Sequence, residues 1–493
     1  MASSRKSSFT DLADRVAELI APLLPAQSSI LIGLSGGVDS VVLLHLLHKL
    51  APRYSWKLSA MHVHHGISQN ADAWADFCAD LCARFHIPLR IEHVDIAPLR
   101  AHGIEAAARK LRHAAFAAQH CDFVVLAHHA DDQAETLLLQ LLRGAGVKGA
   151  AAMPLARSVA MLSPSPLRGE GGGEGDKTQS PVLLRPLLAI PRAVLLDYAR
   201  QHGLRWIEDE SNTDDSYPRN FLRHRVLPLL EQKFPAYRDT LARSAQHFAE
   251  ASGLLDELAR LDAPDLFPSP ACGRGARGEG DEFLLEVSRL QSLSQPRAKN
   301  LLRYFLHSFG APMPQATQLD DMLQQLCSAR QDAGVCIAYG GWQMRRYQGK
   351  VYVLRALGDF DSNLVLSWQG EAELIWPALN TRLRFNQFQG SGISLAKLQC
   401  APVTLRLRHG GETLRPQPHA ATRTLKNLLQ QHHVPPWQRD RLPLLYCGDE
   451  LVCVPGVAIA AEYQAAAEEA GVSVVFCPEK DAPGSENNSS LSL

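Results

Sequence analysis

Between residues 28 and 145, short apolar runs alternate with longer stretches whose apolar positions recur every three or four residues. Residues 30–34, 58–63, 89–94 and 123–127 have the length and apolar content of buried strands. Residues 41–50, 73–85, 104–119 and 134–142 carry apolar side chains at i, i+3 and i+4, the spacing of one helix face. Strand followed by helix, repeated, predicts a parallel sheet covered on both faces: a doubly wound, Rossmann-like α/β domain.

The pattern changes downstream. Residues 186–260 read as mostly helical, and 284–354 as a helical stretch ending in the strand-like VYVLRAL. After Leu366 the alternation in TLRLRHGG and ELVCVPGVAIA predicts small sheets. Residues 163–181 and 268–281 are Gly/Pro-rich, aperiodic, and share PSP, RGEG and GEGD. Such composition cannot bury a core, so both are expected to be related loop insertions, with substrate lids as the alternative. The expected organisation is a doubly wound catalytic domain over 1–235, a helical domain over 236–365, a small α+β domain over 366–477 and a disordered tail over 478–493.

Composition narrows the function classes. Fifty Lys and Arg against 51 Asp and Glu leave a net charge of −1, so a nucleic-acid partner must be met by a local basic patch and not by bulk charge. The start, MASSRKSSF, lacks an apolar secretion segment, and no apolar run reaches the ~18 residues of a membrane span. A soluble, cytoplasmic protein without membrane contact is expected. Ten cysteines with no CxxC pair suit neither a disulfide scaffold nor a zinc finger, and Cys78 and Cys82, one turn apart, read as core.

Two local patterns carry chemistry. In ILIGLSGGVDSVVLLHLL, an apolar strand runs into Ser35, Gly36, Gly37, Val38, Asp39 and Ser40 and opens directly into a helix. Glycines admit phosphate oxygens close to the backbone, and hydroxyls with free helix amides offer them positive charge. This is an anion cradle without the Lys-Ser/Thr of a Walker loop. Asp39 would repel a phosphate unless a divalent cation such as Mg²⁺ lies between them. The bland alternative is a turn that uses Ser and Asp as helix caps. In FVVLAHHADDQAETLLLQLLRGAG, His128 and His129 end a strand, and Asp132 and Glu135 fall on one face of the next helix. If the first and fourth strands are neighbours, the two loops meet beyond the sheet's carboxyl edge. The carboxylates could then hold Mg²⁺ or accept a substrate ammonium and its proton, the alternative being a solvated acidic first turn.

Weaker signals surround these. In MHVHHG, His62 and His64 alternate to one side, and contact with a base or with backbone is expected ahead of zinc. Arg109 and Arg112 lie on adjacent helical turns, as phosphate ligands or as a cationic face. Arg219, Arg223 and Arg225 crowd YPRNFLRHR densely enough to suggest polyanion contact. From Pro402 to Pro443, seven cations including Arg415 and Arg439 face only Glu412 and Asp440, with Gly410 and Gly411 nearby. RNA contact is expected there; Trp437, in PPW, is a stacking platform or a packing corner.

Together SGGVDS, HVHHG, AAARKLR, HHADDQAET, LLRGAG, DESN, RNFLRHR, RHGGETLRP and LKNLLQQHHVPPWQRDRLPLL resemble the tRNA(Ile)-lysidine synthetases, one branch of the PP-loop ATP pyrophosphatases. The resemblance runs from about Ser28 to Phe476 apart from the two insertions, and His113 stands where that family usually has Tyr. It implies a ligase that joins L-lysine to carbon 2 of the wobble cytidine in the CAU anticodon of tRNA(Ile). The ring oxygen attacks the α-phosphate of ATP, and the lysine amine then displaces AMP, so that the anticodon reads AUA instead of AUG. On that reading Ser35 to Ser40 hold the phosphates, Asp39 acts through Mg²⁺, His128 and Arg109 line the nucleotide, and Asp132 and Glu135 receive the lysine ammonium. Arg219, Arg223, Arg225, Arg415 and Arg439 hold tRNA. The oligomeric state, a homodimer among the options, is left open.

Two other functions compete. A tRNA thiolase shares the adenylation step, but needs cysteines at the site, and Cys121 lies at the wrong end of its strand. A non-catalytic RNA-binding protein switched by nucleotide would release neither AMP nor pyrophosphate.

Overall fold

A computed structural model describes residues 11–478 apart from 67, 97–103, 159–180, 209, 211–213, 267–283, 331–332, 359 and 380. Most of both insertions and the tail after Pro478 lie outside the described residues. The chain divides into two compact units, one of residues 1–257 and the other of 258–493.

The first unit runs α1 (Leu12–Ile20), β1 (Ser29–Gly33), α2 (Val38–Tyr54), β2 (Lys57–His64), α3 (Ala71–Arg84), β3 (Leu89–His93), α4 (Ile104–Ala117), β4 (Phe123–Val125), α5 (Ala130–Leu142), α6 (Val147–Ala150), β5 (Ala156–Ser158), β6 (Val182–Leu184) and α7 (Arg192–Gln201). The short helices α8 (Pro218–Phe221) and α9 (Leu227–Lys233) flank a π turn over Leu222–Val226, and α10 (Tyr237–Asp262) crosses into the second unit. Its sheet has the order β3-β2-β1-β4-β6-β5, parallel throughout except for the antiparallel edge strand β5. The doubly wound fold expected from the alternating pattern is present, with α2 and β4 beginning or ending within three residues of expectation.

Alternation along β1 sets the layers. Ile30 and Ile32 join α1, α2, α3 and α7 in one core, whereas Leu31 turns to the opposite face with Val124, Leu126 and Leu183 beneath Ala115 and Phe116 of α4. Gly33 makes that second contact possible: a Cβ there would lie 2.4 Å from Leu126 and 3.0 Å from Phe116. Cys78 and Cys82 are buried in the first core, as their helical spacing suggested.

In the second unit β7 (Leu285–Glu286), α11 (Val287–Ser292), α12 (Gln295–Ser308) and α13 (Ala316–Ser328) precede β8 (Cys336–Tyr339), β9 (Trp342–Tyr347) and β10 (Lys350–Arg355). The strands form a four-stranded sheet, β7-β10-β9-β8, packed on the helices through Leu301, Phe305, Met322 and Met344. The expected helical stretch therefore contains a sheet. Beyond it, a five-stranded sheet takes Val365–Trp368, Val403–Arg406, Leu444–Cys447, Glu450–Val454 and Ala458–Ile459, and a four-stranded sheet takes Glu373–Trp376, Thr381–Gln389, Ala470–Pro478 and Ile393–Ser394. These are the small sheets expected after Leu366. Among the described residues no helix is long and apolar enough to cross a membrane.

Candidate active site at the switch point of the sheet

β1 pairs β2 on one side and β4 on the other, so the winding reverses between β1 and β4. The loops after these two strands meet there, at the crevice where such sheets bind ligands.

The first loop is shaped by two glycines. Gly36 lies in the left-handed region (φ +88°), and a Cβ at that position would come within 2.6 Å of Ile207 Cδ1. The Gly36 carbonyl accepts the Ile207 amide at 2.9 Å, pinning the loop to a distant segment. Ser40 folds back over it: its Oγ accepts the Ser35 amide (3.2 Å), lies 3.1 Å from Ser35 Oγ and donates to the Gly37 carbonyl (2.9 Å). Val38 is buried and anchors the start of α2. Gly37 is the N-cap, with no side-chain capping bond. Ser35 Oγ accepts the Gly37 amide (3.3 Å) as a serine turn does, but no side chain caps α2, and its first amides are left for an anion.

Asp39 reports what such an anion would bring. Its Oδ1 is buried without a hydrogen-bond partner, 3.7 Å from Arg192 Nε, while Oδ2 lies 3.6 Å from His129 Nε2. An orphaned carboxylate oxygen beside an uncapped helix end fits a hydrated divalent cation that carries phosphate. Burial opposes protonation of His129, but Asp39, Asp132 and Asp131 outweigh it and raise its pKa.

The second loop holds the paired carboxylates. His129 caps α5, accepting the Asp132 amide on Nδ1 (3.4 Å) while Asp132 Oδ2 accepts the His129 amide (3.0 Å). Asp132 and Glu135 do share a helix face, and that face is met by arginines. Arg219 donates from Nη2 to Asp132 Oδ1 (2.9 Å) and from Nε to Glu135 Oε2 (2.6 Å). Arg223 donates to both oxygens of Glu135 at 2.7 and 3.0 Å. The side chain of Glu135 is fully buried and that of Asp132 is 13% exposed. Two carboxylates and two guanidinium groups cancel in charge, so the cluster can bind an ammonium only through the accessible Asp132 or by loosening an arginine.

Arg219 and Arg223, whose density in the sequence suggested polyanion contact, are drawn onto Asp132 and Glu135. The cause is local: Arg219 lies on α8 and Arg223 in the π turn that follows, and the wide turn lets both reach one buried carboxylate. Arg225 lies farther along, exposed and paired with Asp215 at 2.8 Å. His128 is partly buried beside the cluster, its pKa held well below the usual range by burial, then by Arg185, Arg219, Arg112 and Arg109. Arg109 is exposed on α4. His62 donates to the Leu34 carbonyl (2.9 Å), the backbone contact expected ahead of zinc. Sequence reasoning missed Arg192 and Ile207; the only local signal was Pro191 opening the helix that carries Arg192.

The C-terminal basic patch is more self-contained than its charge suggested. Glu412 accepts the amides of His409 (2.6 Å) and Gly410 (2.7 Å), filling the concavity that Gly410 and Gly411 create at φ +97° and +88°. Trp437 takes the packing-corner alternative, edge-on to Tyr347 and Tyr352 with Arg345 over its ring. Arg439 donates to the Val434 carbonyl (2.8 Å) and the Tyr347 hydroxyl (3.0 Å). Arg415 pairs with Glu462, both well exposed.

Known proteins bear the same organisation. Residues 9–230 match the PP-loop domain family, 285–352 the TilS substrate binding domain and 403–476 the TilS substrate C-terminal domain. The tRNA(Ile)-lysidine synthase of Nitrosomonas europaea is 41% identical over 480 residues, 97% of this chain and 98% of that protein. Those of Azoarcus sp. (40% identical; 95% of this chain, 96% of that one) and Coxiella burnetii (37%; 93% and 95%) are similar over nearly as much.

Proposed function

Because the chain belongs to the tRNA(Ile)-lysidine synthase family, we propose that the crevice between β1 and β4 is where its chemistry occurs. The chain is an ATP-dependent ligase that forms lysidine on tRNA(Ile), releasing AMP and pyrophosphate. The observation that carries the site assignment is the meeting, across one pair of parallel strands, of an uncapped helix end with an orphaned Asp39 oxygen and the buried Asp132–Glu135 cluster.

The division of labour follows from exposure. Ser35 to Ser40 and the first amides of α2 hold the phosphates that leave as pyrophosphate. Asp39 holds the cation; Mg²⁺, when bound, neutralises charge that develops on that leaving group. Asp132, the accessible carboxylate, receives the lysine ammonium and takes its proton, a step demanded by an amine whose reference pKa is about 10.4. Glu135 fixes Arg219 and Arg223 in place. His128 and Arg109 line the nucleotide. Arg225 and Arg415 face RNA from outside the crevice, and Arg439 steadies the shelf that carries Trp437. This reading puts the enzyme in the cytoplasm with its tRNA.

The described cysteines of the first unit do not favour thiolation. Sulfur transfer needs accessible thiolates, whereas burial pushes Cys78 up to about 12 and Cys82 and Cys121 up to about 11. The direct test is labelled-lysine incorporation into unmodified tRNA(Ile), with tRNA(Met) as control and AMP and pyrophosphate measured together. Release of both products without incorporation would count against the ligase. Arg415→Ala is expected to weaken tRNA binding and to flatten its salt dependence by about one unit of slope, with ATP affinity unchanged. A filter-binding salt titration identical to wild type would reduce that patch to a solvated face.

A further inference from the structure

Arg192 combines a firmly held backbone with a side chain that grips nothing. It is the first residue of α7, a helix whose N-cap, Pro191, offers no capping side chain. The cap comes from another helix: Asp131 Oδ2, in the first turn of α5, accepts the Arg192 amide (2.9 Å). One residue earlier on α5, the Ala130 amide donates to the Ile190 carbonyl (3.0 Å). These two bonds clasp the start of α7 to the start of α5. The other oxygen of Asp131 accepts Arg238 Nε from α10 (2.5 Å), and Arg238 donates in turn to both oxygens of Glu231 (2.6 and 3.3 Å). Burial opposes ionisation of Asp131, but the Arg192 amide and Arg238 outweigh it and hold its pKa below the usual carboxylate range.

The guanidinium of Arg192 is treated differently. Among the described residues it makes no hydrogen bond, and its ionic neighbour is Asp39 Oδ1, 3.7 Å from Nε. That separation is too long for a hydrogen bond. With the Arg192 side chain 45% exposed, the pair adds little to stability. Asp39 is the second residue of α2, whose first amides form the anion site of the cradle. Arg192 therefore reaches that cradle from α7 with its donors unspent, and a planar fork of donors favours phosphate oxygens.

We propose that Arg192 is a catalytic residue of the adenylation step, donating to the β- and γ-phosphate oxygens as pyrophosphate leaves, and that Asp131 is its positioning residue. The inference rests on the assignment of the chemistry to this crevice. In that step the cytidine ring oxygen bonds to the α-phosphorus. The bond from the α-phosphorus to the oxygen that bridges to the β-phosphate breaks, and its electron pair stays with pyrophosphate. Negative charge grows on the leaving group, and a guanidinium already in place meets it without reorganisation. Arg192 donates hydrogen bonds and transfers no proton. Asp131 acts one step back, by setting where the arginine's backbone stands.

The experiment uses the full-length protein and unmodified tRNA(Ile). Arg192→Gln removes the charge at a half-exposed position, and Arg192→Lys keeps it without the fork. Asp131→Ala and the double variant with Arg192→Gln complete a cycle; Asp131→Asn replaces Asp131→Ala should the latter not fold. Three quantities are read: tRNA-dependent pyrophosphate release at saturating ATP, affinity for pyrophosphate with Mg²⁺ but no tRNA, and tRNA affinity by filter binding. Arg192→Gln is expected to slow release about 10²-fold and to weaken pyrophosphate binding about tenfold, with tRNA affinity unchanged. Arg192→Lys should recover part of both. The double variant should be no slower than Arg192→Gln alone, since Asp131 acts through the residue already removed. Wild-type release and pyrophosphate affinity in Arg192→Gln would overturn the catalytic role, as would a loss confined to tRNA binding. Additive losses in the double variant would overturn the role of Asp131. Asp39→Ala, run alongside, tests the crevice itself: normal release there would sink the site assignment and not Arg192 alone.

Discussion

Asp39→Ala is expected to slow pyrophosphate release by about 10²- to 10³-fold, the usual cost of one electrostatic partner in a preorganised site. The fold should barely notice. Asp39 Oδ1 has no hydrogen bond to lose, and its ionic neighbours lie at 3.6 and 3.7 Å. Removing an acidic group from a helix's first turn costs only about 0.3–1 kcal/mol. Thermal melting within a few degrees of wild type, beside a collapse of ATP- and tRNA-dependent pyrophosphate release, is the expected pair of results. Near-normal release would remove Asp39 from the chemistry.

Glu135→Gln is expected to fail in a different way. Its fully buried carboxylate holds Arg219 through one bond and Arg223 through two. Taking the charge away leaves Asp132 as the one carboxylate against two partly buried guanidinium groups, a loss of at most about 3–5 kcal/mol. Denaturant titration should show the midpoint falling, and lysine ligation should be lost with it. Asp132→Ala separates the two consequences, because Asp132 is partly exposed and shares Arg219 with Glu135. That variant should remain folded, bind tRNA almost normally, and still release pyrophosphate while failing to incorporate lysine. A Glu135→Gln protein as stable as wild type would mean that the buried cluster is held by something else.

The contrast between these residues shows what a sequence can and cannot express. The sheet was legible because β1 to β4 are apolar runs separated by helices of clean 3.6 periodicity, and the cradle and the Asp132–Glu135 pair because each is a local motif. Arg219 and Arg223 were noticed only as a basic cluster. Their partners lie more than eighty positions away, and a π turn, which has no simple composition, aims them. In the second unit β9 was missed for a related reason. Trp342, Met344 and Arg346 all point inward, and the inward arginine, which donates to the carbonyls of Leu326 (2.6 Å) and Ala329 (2.8 Å), breaks the apolar alternation by which a strand is recognised.

The clasp between Gly36 and Ile207 sets a timetable for synthesis. Ribosomes add roughly 5–20 residues per second, so about 10–40 s separate the emergence of the SGGVDS segment from that of Ile207 and the arginines after it. Through that interval the nascent chain carries every glycine and serine of its nucleotide loop, yet has nothing to close it against. Asp132 and Glu135 likewise wait for Arg219 and Arg223. Nucleotide therefore has no formed cradle to enter until some two hundred residues have been made, and it cannot serve as an early folding template. A ribosome-bound chain stalled with Ile207 still in the exit tunnel should fail to retain ATP, and one stalled far enough downstream to expose Arg223 should hold it.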